Sequence, residues 1–289
     1  MDYRCLQCHA KNFARLIRKS NIPAEDKRAR MQWFYRYLSS VDESTIAPKV
    51  SAEIYRYFRE HQLNGNPYAK EKEQFNKALL FNYAGLKSGV ETSPDPFDRA
   101  MRYALAGNII DFGAHATIPL EETFTKVLET DLAIDHSAMF REDLAKAKSI
   151  LWLGDNAGEI VMDKLFIASL GVENVTFAVR GAPVVNDATV EDAEFIGLNE
   201  VARVLSNGND APSTLLDECS DEFREAFFEA DVIISKGQGN YEGLMDHQTK
   251  RIYFMLMAKC FVIAEKLEVE KGSFIVMCNQ NQDAKDSHR

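Results

Sequence analysis

The chain has 289 residues, 46% of them hydrophobic, enough to bury a core in one large domain or two smaller ones. Its 34 basic and 44 acidic residues leave a net charge of −10, which argues against a general binder of phosphate backbones, so no nucleic-acid partner is expected. No stretch approaches the ~20 apolar residues of a membrane span, and no apolar signal core follows Met1 to Cys5, so a cytoplasmic protein with no membrane partner is expected.

The first feature in chain order is Cys5-Leu6-Gln7-Cys8-His9. Its spacing is that of covalent haem attachment, which goes with an export signal. Two thiols are also half of a structural zinc site, but no second Cys pair completes it, and a helix start without chemistry is the third reading. The five cysteines, at 5, 8, 219, 260 and 278, form no disulfide framework and are expected to be reduced. Apolar residues then recur at helical spacing: Phe13, Leu16 and Ile17; Trp33, Phe34, Tyr37 and Leu38; Ile54, Tyr55 and Phe58; Phe75 and Leu79. Pro23, Pro48, Pro67, Pro94, Pro96 and Pro119 punctuate these runs where helices can start. Residues 1–147 therefore read as a helical domain. Within it Asn108 and Asp111 stand three apart after Gly107. On a helix they share a face and can reach into a cleft; if Gly107 ends a helix, they serve the turn and the next cap.

The pattern changes near residue 148. Short β-rich runs at 149–153, 175–179, 203–205, 232–235, 252–257 and 274–277 are separated by helical patterns such as 161–170 and 221–230. That alternation predicts a parallel sheet with crossover helices over 148–289, hence an α/β fold. Open sheets of this kind bind ligands beyond the carboxyl ends of their strands. The first two runs are followed by Asp155-Asn156 and, a few residues further on, by Asn186-Asp187. One Asp-Asn pair reads equally as a helix cap. Two pairs on one sheet edge favour a ligand site, because Asp155, Asn156 and Asp187 offer two carboxylates and an amide oxygen, a hard set suited to Mg²⁺ or Mn²⁺, with Co²⁺ and Ni²⁺ acceptable. A third strand end carries Lys236-Gly237-Gln238-Gly239-Asn240-Tyr241-Glu242. It reads as a glycine loop that brings amides and a Lys charge to an anion, ahead of a short helix at Tyr241-Glu242, or as a plain turn with a solvated Lys. It is neither a Walker loop nor a dinucleotide fingerprint.

Asp155-Asn156-x-Gly158-Glu159, Arg180-Gly181-x-Pro183-x-x-Asn186-Asp187-Ala188-Thr189, Lys236-Gly237-x-Gly239-Asn240-Tyr241-Glu242 and Gly107-Asn108-x-x-Asp111-Phe112 resemble, in order, the motifs of the damage-control phosphatase family, long catalogued as a domain of unknown function. Cys5-x-x-Cys8 is similar to the mark of its mostly prokaryotic subfamily. The expected architecture is thus an all-helical N-terminal region followed by a Rossmann-like parallel sheet sandwiched by helices. The resemblance implies a metal-dependent phosphatase for small phosphorylated metabolites, such as sugar phosphates or damaged phosphoesters. Asp155, Asn156 and Asp187 match the family's metal ligands, and Lys236 matches the residue that helps hold phosphate, with Gly237 and Asn240 beside it. Asn108, Asp111, Arg180, Asn186 and Glu242 fall in matching motifs.

The chemistry follows from the phosphate monoester itself, a dianion that repels nucleophiles unless a divalent ion bridges an oxygen and orients water. Lys236 and amides near Gly237 would neutralise the other oxygens, and Glu242 or Asp111 would accept the water's proton. Asp155 as a nucleophile is the other route, but residue 157 is Ala where many phosphoaspartate enzymes carry a second Asp, so direct attack by water is preferred. The rival classes are an S-adenosylmethionine-dependent carboxyl methyltransferase, the activity described for a human relative, and a phosphometabolite-binding protein without turnover.

Overall fold

The computed structural model describes residues 1–61, 63, 66–107 and 120–280. Six helices come first: α1 (Tyr3–Lys19), α2 (Ala24–Ser40), α3 (Ala47–Glu60), α4 (Ala69–Glu91), α5 (Pro96–Ala106) and α6 (Leu120–Glu129). Pro23 caps α2, Pro48 lies in the first turn of α3 and Pro96 opens α5, positions where a missing N–H costs nothing. β1 (Leu132–Asp135) and α7 (Ser137–Lys146) follow, then β2 (Ile150–Leu153), α8 (Glu159–Leu170), β3 (Val175–Val179), α9 (Val190–Phe195) and β4 (Arg203–Ser206). The chain ends with α10 (Asp221–Glu229), β5 (Val232–Lys236), α11 (Gly237–Leu244), β6 (Ile252–Met257), α12 (Phe261–Lys266) and β7 (Phe274–Cys278).

Among the described residues the strands form one seven-stranded sheet in the order β1-β7-β6-β5-β2-β3-β4. All pairs are parallel except β6 with β7. The expected α/β architecture is present, with two departures. β1 lies in the stretch read as helical; it is four residues long, has one sheet neighbour and alternates between half-buried and exposed positions, too little to register as an apolar run. β7 runs against β6, because the short helix α12 and the turn after it return the chain beside the strand it has just left.

The sheet buries both faces, as a parallel sheet must. Ile150 and Trp152 of β2 join a core with Phe140, Phe166 and Phe177 under α5, α7 and α8. Their neighbours Leu151 and Leu153 join the opposite core with Phe223, Phe227 and Phe254 under α10 and α11. A third core, built on Phe13, Phe34, Tyr55 and Phe58, holds α1 to α3 together and takes in Val184 from the loop after β3. Phe13 stacks on Phe34 with ring centroids 4.1 Å apart. The strand order also creates a switch point, since the chain leaves β2 toward β3 and β4 and then returns to the other side of β2 as β5. The crevice beyond the carboxyl ends of β2 and β5 is where such a sheet binds its ligand.

Phe13 is fully buried at the centre of the helical core. Phe13→Ala should lower unfolding free energy by about 3–5 kcal/mol, the usual cost of a large aromatic cavity, read from the urea midpoint.

Candidate active site

The loops after β2 and β3 are stitched together through their backbones. The N–H of Ala157 donates to Asn186 O at 2.9 Å, and the N–H of Ala188 donates to Asp155 O at 2.8 Å. Asn156 and Asp187 form an antiparallel bridge between them. Two segments thirty residues apart in sequence thus become one short ribbon at the sheet edge. The loop after β5 meets it, for a Cβ at Gly237 would overlap the Asp155 carboxylate, and Gly237 has φ +79°. Only glycine lets the first turn of α11 come this close. α11 therefore begins at Gly237 directly after Lys236, not at Tyr241 after a glycine loop.

Asp155 and Asp187 are buried, and Arg180 joins them: its Nε donates to Asp187 Oδ2 at 2.7 Å, and its Nη2 lies 3.9 Å from Asp155 Oδ1. Arg180 Nη2 is buried without a hydrogen-bond partner in the protein. Arg180 is 3% exposed, and its charge offsets that of the two carboxylates. Asn156 donates through Nδ2 to Asp155 Oδ2 at 2.7 Å and Glu159 Oε2 at 2.9 Å. With its nitrogen used on carboxylates, its oxygen is the end left for a cation.

Lys236 has a different place from the one its motif suggested. It is fully buried, and Nζ donates to Glu159 Oε1 at 2.7 Å, Asp163 Oδ1 at 2.6 Å and Ala104 O at 2.9 Å. An ammonium has three N–H bonds, and all three are used. With its three protons on these oxygens, it pins α8 and α5 beneath the site. Asn240 is likewise fully buried, donating to Gly154 O and Lys236 O and accepting from Thr214 Oγ1 at 2.9 Å, which fixes the turn. Asn108 and Asp111 lie outside the described residues.

Asp155, Glu159, Asp163 and Asp187 are four buried carboxylates that share two buried cations, Arg180 and Lys236. Burial, then the charges of Glu159 and Asp187, pushes Asp155 up to about 7. Burial also raises Asp187, against the pull of Arg180. These shifts mark a site short of positive charge. A divalent ion on the Asp155, Asn156 and Asp187 oxygens would supply it, and a hard cation matches this oxygen set. Among the described residues no group of three or more His, Cys, Asp and Glu side chains is placed to hold a metal ion, and the Asp155, Asn156 and Asp187 set has two such side chains and an amide.

A cavity of about 470 Å³ opens on Asp155, Asn156, Asn186 and Asp187. Glu242, half-buried, and Lys259 line it from the β5 and β6 ends. Glu242 Oε1 accepts from Gln238 Nε2 at 3.0 Å, and burial raises its carboxyl. Lys259 makes no ion pair among the described residues, yet its charge acts on both Asp155 and Glu159, lowering each. No motif marks Lys259 in the sequence, although Ala258-Lys259 follows a strand just as the other polar clusters do. Cys5, Cys8 and His9 of α1 close the cavity from the helical side. Burial pushes the Cys5 thiol up to about 11, which keeps it protonated at neutral pH.

Residues 1–275 match the damage-control phosphatase ARMT1-like domain. The chain belongs to the damage-control phosphatase family. It is similar to a damage-control phosphatase of Pyrococcus horikoshii, 32% identical over 289 residues that cover 97% of this chain and 98% of the relative. It is also 36% identical over 217 residues to a damage-control phosphatase of Archaeoglobus fulgidus, 73% of this chain and 75% of the relative. A crystal structure of a DUF89 family protein from Pyrococcus horikoshii superposes with a TM-score of 0.86 over 97% of this chain and 99% of that one. The family match thus spans the helical half as well as the sheet.

Replacing Lys236 with Met leaves Glu159 and Asp163 facing each other in the interior, and breaking such a buried pair costs about 3–5 kcal/mol. Lys236→Met should therefore show a large drop in melting temperature, a stability defect distinct from loss of substrate contact. His9 is 7% exposed, and burial depresses its pKa from 6.5 to about 4. The folded state then binds fewer protons than the unfolded one between these values, so this contribution is complete above pH 6.5 and is lost as pH falls toward 4. Relative to His9→Gln, the wild type should lose about 3 kcal/mol of unfolding free energy between pH 7 and pH 4 in parallel urea titrations.

Proposed function

We propose that the protein is a divalent-metal-dependent phosphomonoesterase acting on small phosphorylated metabolites, with sugar phosphates and damaged phosphometabolites as the substrate class; the two relatives named damage-control phosphatases support the phosphatase reading. The observation that carries this reading is the convergence of Asp155, Asn156 and Asp187 on one wall of a 470 Å³ cavity that has a lysine, Lys259, without an ion pair among the described residues on its rim. Asp155, Asn156 and Asp187 would hold the ion. When bound, Mg²⁺ or Mn²⁺ supplies charge stabilisation to a phosphoryl oxygen and an oriented water for in-line attack.

The chain's own residues do the rest. Lys259 offers an ammonium to the phosphoryl oxygens, a role that Lys236 cannot take because its protons are committed. Glu242 stands in the same cavity, where burial raises its carboxyl, a group that can take up the proton of an attacking water. Asn186 lines the wall and can bond a substrate hydroxyl. The first turn of α11 turns its positive end toward the Asp155 carboxylate and the anion beside it. Arg180 limits repulsion between Asp155 and Asp187 from behind.

Asp155→Asn and Asp187→Asn should each abolish Mn²⁺-stimulated hydrolysis of p-nitrophenyl phosphate while leaving the far-ultraviolet dichroism unchanged. Lys259→Ala should lower kcat/KM by about a hundredfold, the cost of removing one preorganised charge from a developing oxyanion. Full activity in either aspartate variant, or in Lys259→Ala, would rule out the role given to that residue.

A further inference from the structure

We propose that Asn76 and Lys72, both on α4, set the affinity of the Asp155, Asn156 and Asp187 site for its cation without touching the cation, as positioning residues. This rests on the metal reading above.

The side chain of Asn76 is 1% exposed and makes two bonds in opposite senses. Its Oδ1 accepts the N–H of Gly158 at 2.6 Å, and its Nδ2 donates to Asp192 Oδ1 at 3.1 Å. Gly158 stands two residues after Asn156, in a left-handed conformation with φ +78°. Asp192 closes the capping box of α9, accepting the N–H and Oγ1 of Thr189 on Oδ2 at 2.9 Å each. Thr189 stands two residues after Asp187. One buried amide therefore ties together the far ends of both ligand loops. Lys72, 3% exposed, completes the clamp by pairing with Asp192 Oδ2 at 2.5 Å.

The residue type follows from the geometry. The position must accept from a backbone N–H on one side and donate to a carboxylate on the other, which an amide does and a carboxylate cannot. Phe75, the preceding residue, occupies the space into which a Cβ at Gly158 would project, so α4 also presses the loop from the side. The backbone ribbon aligns the two loops with each other, whereas the α4 clamp fixes where each turns into its helix. Ligands held this way lose tenfold to a hundredfold in metal affinity when the groups that orient them are removed.

Mn²⁺ binding followed by calorimetry tests this, with the urea midpoint of the metal-free protein measured in parallel. Wild type should bind, Asp187→Asn should not, and Asn76→Ala and Lys72→Met should each bind at least tenfold more weakly. Asn76→Asp should weaken binding as well, because its carboxylate would face Asp192. Adding Asp192→Asn to it returns a donor to the pair, leaves Lys72 a carboxylate four residues along its own helix, and should recover part of the lost affinity. If Asn76→Ala fails to fold, that exchange of acid and amide carries the test. Affinity within twofold of wild type in Asn76→Ala and Lys72→Met, or no recovery in the exchanged pair, would overturn the inference alone. Absence of Mn²⁺ binding by the wild type would overturn the metal reading and this inference with it.

Discussion

Four carboxylates buried around two cations are the constraint on which this structure turns. Asp155, Glu159, Asp163 and Asp187 are taken out of water by the same cores that stabilise the sheet, and Arg180 and Lys236 offset only part of their charge. An arrangement of this kind is costly unless each group is held in place by bonds and packing. The surrounding structure supplies those bonds: Lys236 uses all three protons on α8 and α5, Arg180 joins two strand ends, and the backbones of the two ligand loops pair with each other. The residual negative charge then faces a cavity, where a divalent ion can reach it.

The helical half is part of this device. α1 and α3 wall the cavity opposite the sheet, and α4 reaches the ends of both ligand loops through Asn76 and Lys72. The core of α1 to α3 takes in Val184 from the very loop that presents Asp187, so packing in that core and the placing of that carboxylate are joined. A sheet edge exposed to solvent would keep Asp155 and Asp187 hydrated and their charge ordinary; the covering helices give them low-dielectric surroundings.

Much of the fold was legible because it depends on local pattern. The runs at Val175–Val179 and Ile252–Met257 match their strands to the residue, since strands buried on both faces are short, apolar and bounded by polar turns. The bridge between Asn156 and Asp187 was foreshadowed by two Asp-Asn pairs on one predicted sheet edge. β1 was not legible, because a four-residue edge strand with alternate residues exposed leaves no apolar run. Lys236 and Asn240 illustrate a deeper limit. Their motif names the residues, but a lysine after a glycine-flanked strand reads the same whether its ammonium meets an anion or two buried carboxylates 73 and 77 residues earlier.

What the sequence alone determined is the inventory and its order: a helical run, an α/β alternation, and Asp and Asn side chains stationed where strands end. Those follow from periodicity and from residue chemistry, which are properties of neighbours along the chain. Tertiary structure decided the roles. It sent Lys236 inward and left Lys259 at the cavity, set Arg180 between Asp155 and Asp187, and brought Asn76 against Gly158 across 82 positions of sequence. Burial and charge compensation are sums over everything within a few ångströms, and no window along the chain contains those terms.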